Sequence, residues 1–157
     1  MSTTSSNLLQ RAALGAAAGV GATLLMQAMM KASPKVVPNG EPPLRQDAGE
    51  FMIAKVVGEL PIPPAVRKTA AKSLHLGYGT APAVLYALIR HRDGTVMVDG
   101  TLLGLGLWAA GYLGWLPATG LIPPIREQSP RQITVPMVRH ALFGIALVAA
   151  YRAMAKH

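Results

Sequence analysis

RHALFGIALVAAYR, residues 139–152, is the stretch on which the fold turns. Between Arg139 and Arg152 lie 12 uncharged residues. A membrane-crossing helix needs about 20 mostly apolar residues, so length alone fits a re-entrant or interfacial segment. The run crosses only if both arginines snorkel and the helix begins near Val135. A second copy of its pattern decides in favour of crossing. His140-x-x-x-Gly144 followed by Tyr151 repeats His75-x-x-x-Gly79 followed by Tyr86, and an aromatic (Phe143, Tyr78) follows each histidine by three positions. The earlier copy lies in a run of 17 uncharged residues, 73–89, between Lys72 and Arg90.

Working outward, the segments preceding these runs are also paired. Gly15-x-x-x-Gly19-x-Gly21 opens an uncharged run at 12–30, and Gly100-x-x-x-Gly104-x-Gly106 opens another at 100–122. Pro42-Pro43-Leu44-Arg45 follows the first, and Pro123-Pro124-Ile125-Arg126 follows the other. Motifs recurring in one order mark an internal duplication. The expectation is an all-α integral membrane four-helix bundle built from two pseudo-symmetric helix-pair repeats. It is one membrane domain, 1–157, with half one at 8–92 and half two at 95–157. The spans lie at about 12–30, 73–89, 100–122 and 135–153. Parallel repeats of this kind are related by an axis along the membrane normal.

The first half is longer. Arg45 to His75 is 30 positions, whereas Arg126 to His140 is 14. The insertion reads as a short amphipathic helix at about 47–60. Asp47 sits at its N-cap with Glu50 three later, and Phe51, Met52, Val56, Val57 and Leu60 recur at helical spacing. Pro61, Pro63 and Pro64 end it. It lies on the cytoplasmic membrane surface or packs over the end of the bundle.

Composition agrees. Hydrophobic residues make up 51% of the chain and charged residues only 14%, which excludes a disordered polymer. The absence of cysteine removes disulfides, thiolate metal sites and cysteine nucleophiles together. Of the 15 basic residues, ten fall in or beside the loops at 32–72 and 123–139, and five (Arg11, Arg90, Arg92, Arg152, Lys156) fall on the other side. The positive-inside rule then makes the two longer loops cytoplasmic and both termini periplasmic. The net charge of +8 is thereby assigned to topology and to anionic lipid at the basic face, not to nucleic acid.

The glycines Gly15, Gly19, Gly21, Gly79, Gly100, Gly104, Gly106 and Gly144 read as helix-packing positions, because small residues four apart let backbones approach where lipid supplies no hydrophobic drive. His75, Gly79, Pro82 and Tyr86 form one helix stripe, and His140, Gly144, Leu147 and Tyr151 form another. The two histidines are the cofactor-binding candidates, as paired imidazole ligands to a b-type haem or a metal; by default no cofactor is expected. The apolar runs at 12–30, 73–89, 100–122 and 140–151 contain no acid, which argues against a proton relay. Phosphate-binding loops, nucleophile elbows and zinc-protease motifs are absent. Trp115, followed by Pro117, reads as an interface anchor. No catalytic residue is identified. The expected role is that of a non-enzymatic accessory or scaffold subunit of a larger membrane complex or a homo-oligomer, or of a membrane homeostasis factor. The alternatives are the haem or metal electron-transfer module and a small-solute channel or transporter.

His75–Gly79 with Tyr86, the glycine-led third run with Trp108, Pro117-x-x-Gly120-Leu121-x-Pro123-Pro124 and His140–Gly144 together resemble the YagU-like family of small bacterial inner-membrane proteins. The resemblance spans roughly residues 8–155 through short motifs. It implies the bacterial inner membrane as location and carries over no catalytic residues. The chain departs from the pattern in having no acid near Trp115, where a His/Glu pair is expected in some relatives.

Overall fold

The computed structural model describes residues 2–36, 48–58, 60, 62–89 and 94–155. All regular structure among them is helical: α1 (Ser2–Val36), α2 (Ala48–Val57), α3 (Pro64–Ile89), α4 (Val96–Trp108), a π-helical segment (Ala109–Trp115), the single turn α5 (Leu116–Ala118), a 3-10 turn (Ile125–Glu127) and α6 (Pro130–Met154). Three stretches are long and apolar enough to cross a membrane: Asn7–Met29, Val96–Ala118 and Pro130–Met154. α3 is 26 residues long but carries Arg67, Lys68 and Lys72 in its first turns.

The stretch that opened the question is the middle of a 25-residue helix. α6 begins at Pro130, five positions before the expected start. A complete capping box fixes that start: the Ser129 hydroxyl accepts from the Gln132 N–H at 3.3 Å, and the Gln132 side chain accepts from the Ser129 N–H at 2.8 Å. Pro130 at the first helical position needs no partner for a missing N–H. Ser129→Ala is expected to destabilise the chain by about 1 kcal/mol, with faster amide exchange confined to the first turn of α6.

The third long helix begins at Val96 and ends at Ala118, four positions earlier at each end than expected, because Gly120 at φ +77° turns the chain away. Thr95 caps it, accepting from the Val98 N–H at 3.2 Å. Its C-terminal third widens into a π-helix in which Leu116 N–H reaches back to the Gly111 carbonyl. Gly114 there leaves helical geometry (φ −104°, ψ −107°), so the chain kinks three residues before Pro117, which has no N–H and crowds the preceding turn. α2 ends at Val57, where Gly58 adopts φ +57°. The expected Asp47 cap, Glu59 and Pro61, the Pro42–Arg45 motif, the residues Arg90, His91, Arg92 and Asp93, and Lys156 and His157 lie outside the described residues.

α1 packs on α3 and α6, α4 on α6, and α2 on α3. Two antiparallel pairs result. In the first, Gly15 sits over Val84 and Gly19 over Thr80: a Cβ at either glycine would stand 3.0 Å or 2.8 Å from the facing Cα. In the second, Gly100 sits over Ile145 and Gly104 over Ala141, at 2.5 Å and 2.8 Å by the same measure. Both pairs thus approach backbone to backbone through small residues. Thr80 and Ile145 each lie five positions after a motif histidine. Gly19 and Gly100 thus face residues at the same offset from His75 and His140, whereas Gly15 and Gly100 do not. The packing register is one helical turn away from the alignment of the glycine strings. Gly21 and Gly106 face open space.

Two apolar clusters fill the interior. The larger joins Ala18, Ala22, Ala83, Tyr86, Ala87, Phe143, Leu147, Val148, Tyr151 and Ala155. The smaller, at the opposite end, joins Tyr112, Leu116, Leu121 and Ile122, with Ala48 and Phe51 of α2 packed against it. α2 therefore covers the end of the helix array with one face, while Val56 on its other face is 78% exposed.

Candidate functional site: a buried polar junction

Asp99 lies in the first turn of α4, within the stretch Val96–Ala118, and is buried. This corrects the expectation of acid-free spans. That expectation began the third span at Gly100, and the helix begins four residues sooner. The Asp99 Oδ2 accepts from the Tyr86 hydroxyl at 2.9 Å and pairs with the Arg152 guanidinium at 2.7 Å. The two ionic side chains are 3% and 14% exposed, so both charges are withdrawn from solvent. Arg152 also donates to the Tyr86 hydroxyl at 2.7 Å and 3.1 Å, and to the Gly94 carbonyl at 2.8 Å. The N-terminal turn of α4 adds the positive end of its helix dipole beside the carboxylate. One acid, one arginine and one phenol thus form a closed triangle joining α3, α4 and α6.

Arg11 of α1 extends the junction. It donates to the Ala87 carbonyl at 2.5 Å and 2.8 Å and to the Leu88 carbonyl at 2.6 Å. These are among the last carbonyls of α3, which have no partner within their own helix. A cation there also meets the negative end of the α3 dipole. Tyr151 donates to the same Ala87 carbonyl at 3.4 Å, and its ring packs edge-on against Tyr86 with centroids 5.8 Å apart. Arg11→Gln is expected to cost about 2 kcal/mol through lost charged hydrogen bonds, with accelerated exchange in the last turn of α3 as the direct measure.

The histidine stripes divide. On α6, Gly144, Leu147 and Tyr151 are buried and His140 is half-buried; its Nδ1 lies 2.8 Å from the Pro136 carbonyl. A carbonyl only accepts, so in this contact Nδ1 carries the hydrogen. The His140 ring meets Tyr112 edge-on at 5.8 Å. On α3, Gly79 and Tyr86 are buried, Pro82 is half-buried and His75 is exposed. Among the described residues, no group of three or more His, Cys, Asp or Glu is placed to hold a metal ion.

Around the π-helical segment an aromatic cluster forms. Trp108 stacks on Tyr112 at 6.2 Å, and Trp115 meets Tyr78 of α3 edge-on at 6.2 Å. Trp115 is half-buried and packs against the Leu116–Ile122 cluster. The indole nitrogens of both tryptophans are buried without a hydrogen-bond partner. The triangle at Asp99 was the part that motif reading missed. The available signal was the i+1 arginine after the terminal tyrosine of the second stripe, opposite an acid just before the glycine string.

No family model, no curated protein and no solved structure matches the chain.

Proposed function

We propose that the protein is a non-enzymatic, multi-pass component of a membrane assembly, acting as an accessory or scaffold subunit. α3 crosses as a fourth span through its apolar part, 73–89. The observation that carries this reading is the division of small residues between two faces. Gly15, Gly19, Gly100 and Gly104 are used within the chain, whereas Ala13, Ala17 and Gly21 of α1 are exposed at four-residue spacing, and Gly106 and Ala110 of the following long helix are exposed as well. In lipid such faces are what a neighbouring helix packs against. The ionisable groups support the same reading, since Asp99 and Arg152 bond each other and Tyr86 of α3, Arg11 bonds the end of α3, and all lie at one end rather than along a path. The resemblance to the YagU-like family adds the bacterial inner membrane as its location.

We further propose that the two helix pairs descend from one duplicated unit. The matching register of Gly19 over Thr80 and Gly100 over Ile145 supports it.

Because the chain has no cysteine, Ala17→Cys and Ala110→Cys introduce single, unambiguous crosslinking sites. In native membranes each is expected to trap a neighbour, of the same chain for a homo-oligomer and of another protein for an accessory subunit. A chain that crosslinks to nothing and purifies alone in mild detergent contradicts the reading.

A further inference from the structure

Among the described residues, the basic side chains at the two ends of the helix array are engaged differently. At the junction end, the described basic residues Arg11 and Arg152 are spent on carbonyls, a phenol and a carboxylate inside the protein. At the opposite end, Lys55, Lys68, Lys72 and Arg126 are all exposed. Arg67 joins them, with one bond to the Leu60 carbonyl at 2.9 Å and a buried Nε that meets no acceptor. The acids described near them are Glu50 and Glu127, the latter 3.6 Å from Arg126. The N-termini of α3 and α6 point toward this same end and add positive dipole ends.

Exposed apolar side chains stand among these charges. Val56 is 78% exposed, Leu60 61% and Val66 53%, and each lies within a few positions of a basic residue. Phe51 anchors the other side of α2 to the Tyr112–Ile122 cluster, with the Lys55 ammonium 5.2 Å from its ring centroid. A surface that mixes apolar tips with cations suits the boundary between acyl chains and anionic headgroups: the apolar groups enter the boundary and the cations meet phosphate. Water or a soluble acidic protein satisfies the cations but not Val56, Leu60 and Val66.

We propose that this end is an anionic-phospholipid docking face, in which α2 and the first turns of α3 settle into the headgroup layer with Lys55, Arg67, Lys68 and Lys72 on lipid phosphates. This is independent of the accessory-subunit reading.

The test uses the full chain in nanodiscs of phosphatidylglycerol and phosphatidylcholine. The chain holds two tryptophans, and Trp108→Phe leaves Trp115, which packs beside the cluster that α2 covers, as the single reporter. Brominated phosphatidylglycerol is expected to quench Trp115 at about tenfold lower mole fraction than brominated phosphatidylcholine. The preference is expected to fall toward unity in Lys55→Gln/Lys68→Gln/Lys72→Gln and to weaken in about 0.5 M salt. Val56→Ser/Leu60→Ser is expected to weaken quenching by both lipids. Circular dichroism checks that the variants keep their helix content. Equal quenching by the two lipids in the parent protein overturns the proposal, as does a preference unchanged in the triple variant. Displacement of the brominated lipid by millimolar glycerol phosphate also overturns it, in favour of a free-phosphate site.

Discussion

Asp99→Ala is expected to destabilise the protein by about 3 kcal/mol, measured as equilibrium unfolding in mixed micelles. The substitution strands the Arg152 guanidinium, which is 14% exposed, and removes the acceptor for the Tyr86 hydroxyl. Arg152→Ala strands the carboxylate instead, and it lies deeper, at 3% exposure. Either loss exceeds the net worth of the pair, because an unpaired buried charge keeps its desolvation penalty. Removing both partners by Asp99→Ala/Arg152→Ala is therefore expected to cost less than the two single losses together, and the double-mutant cycle to give a coupling of about 2 kcal/mol. Additive losses would mean that the pair contributes nothing as a pair. Tyr86→Phe, which keeps the ring against Tyr151 and removes only the hydroxyl, is expected to cost less than either charge.

The second large effect separates neighbouring glycines of one motif. Gly104→Leu is expected to cost at least about 3 kcal/mol and to part α4 from α6. A Cβ there would stand 2.6 Å from the His140 carbonyl carbon and 2.8 Å from the Ala141 Cα, and backbone cannot step aside as a side-chain tip can. Gly106→Leu, two positions on, meets nothing of its own chain within 4 Å, and the isolated chain is expected to stay within about 0.5 kcal/mol of the parent in micelles. Gly144→Leu should behave like Gly104→Leu, since its Cβ would press on the Gly104 nitrogen at 2.6 Å. Leu at Ala153, which is exposed, is the matching control on α6. Ala87 is no such control: it is fully buried, and its Cβ faces Gly15. Equal tolerance at Gly104 and Gly106 would contradict the crossing described for α4 and α6.

Much of this was legible in the sequence. The apolar runs at 12–30 and 140–151 fall inside helices long and apolar enough to cross a membrane, and a short amphipathic helix lies between α1 and α3. The helical ends were harder to read. Uncharged-run length finds where charge stops, whereas helices stop at caps and glycines: Ser129 starts α6 early, Thr95 starts α4 before an acid, and Gly120 ends that rod inside an apolar run. The junction escaped for the same reason. Asp99 was counted as the border of a span, and borders are read as solvated. Only tertiary packing brings Arg152 and Tyr86 to it, from 53 and 13 positions away. The glycine strings showed which residues are small but not which face each occupies. Gly104 and Gly106 look alike in the motif and lie on different faces of the helix. The one-turn register difference has the same origin: Gly15 and Gly100 head identical strings, yet it is Gly19 and Gly100 that face residues five positions after a motif histidine.

The triangle at Asp99 also orders events during synthesis. α1 and α3 can zip together as soon as residue 89 has left the ribosome, and Arg11 can seal the α3 carbonyls at that moment. Asp99 follows shortly and meets Tyr86, but its counter-charge is made 53 residues later. Through that interval the carboxylate has the Tyr86 hydroxyl in place but not Arg152. Arg152 then closes the second helix pair and joins it to the first in a single step. The tie across α3, α4 and α6 is thus complete only once residue 152 has been made.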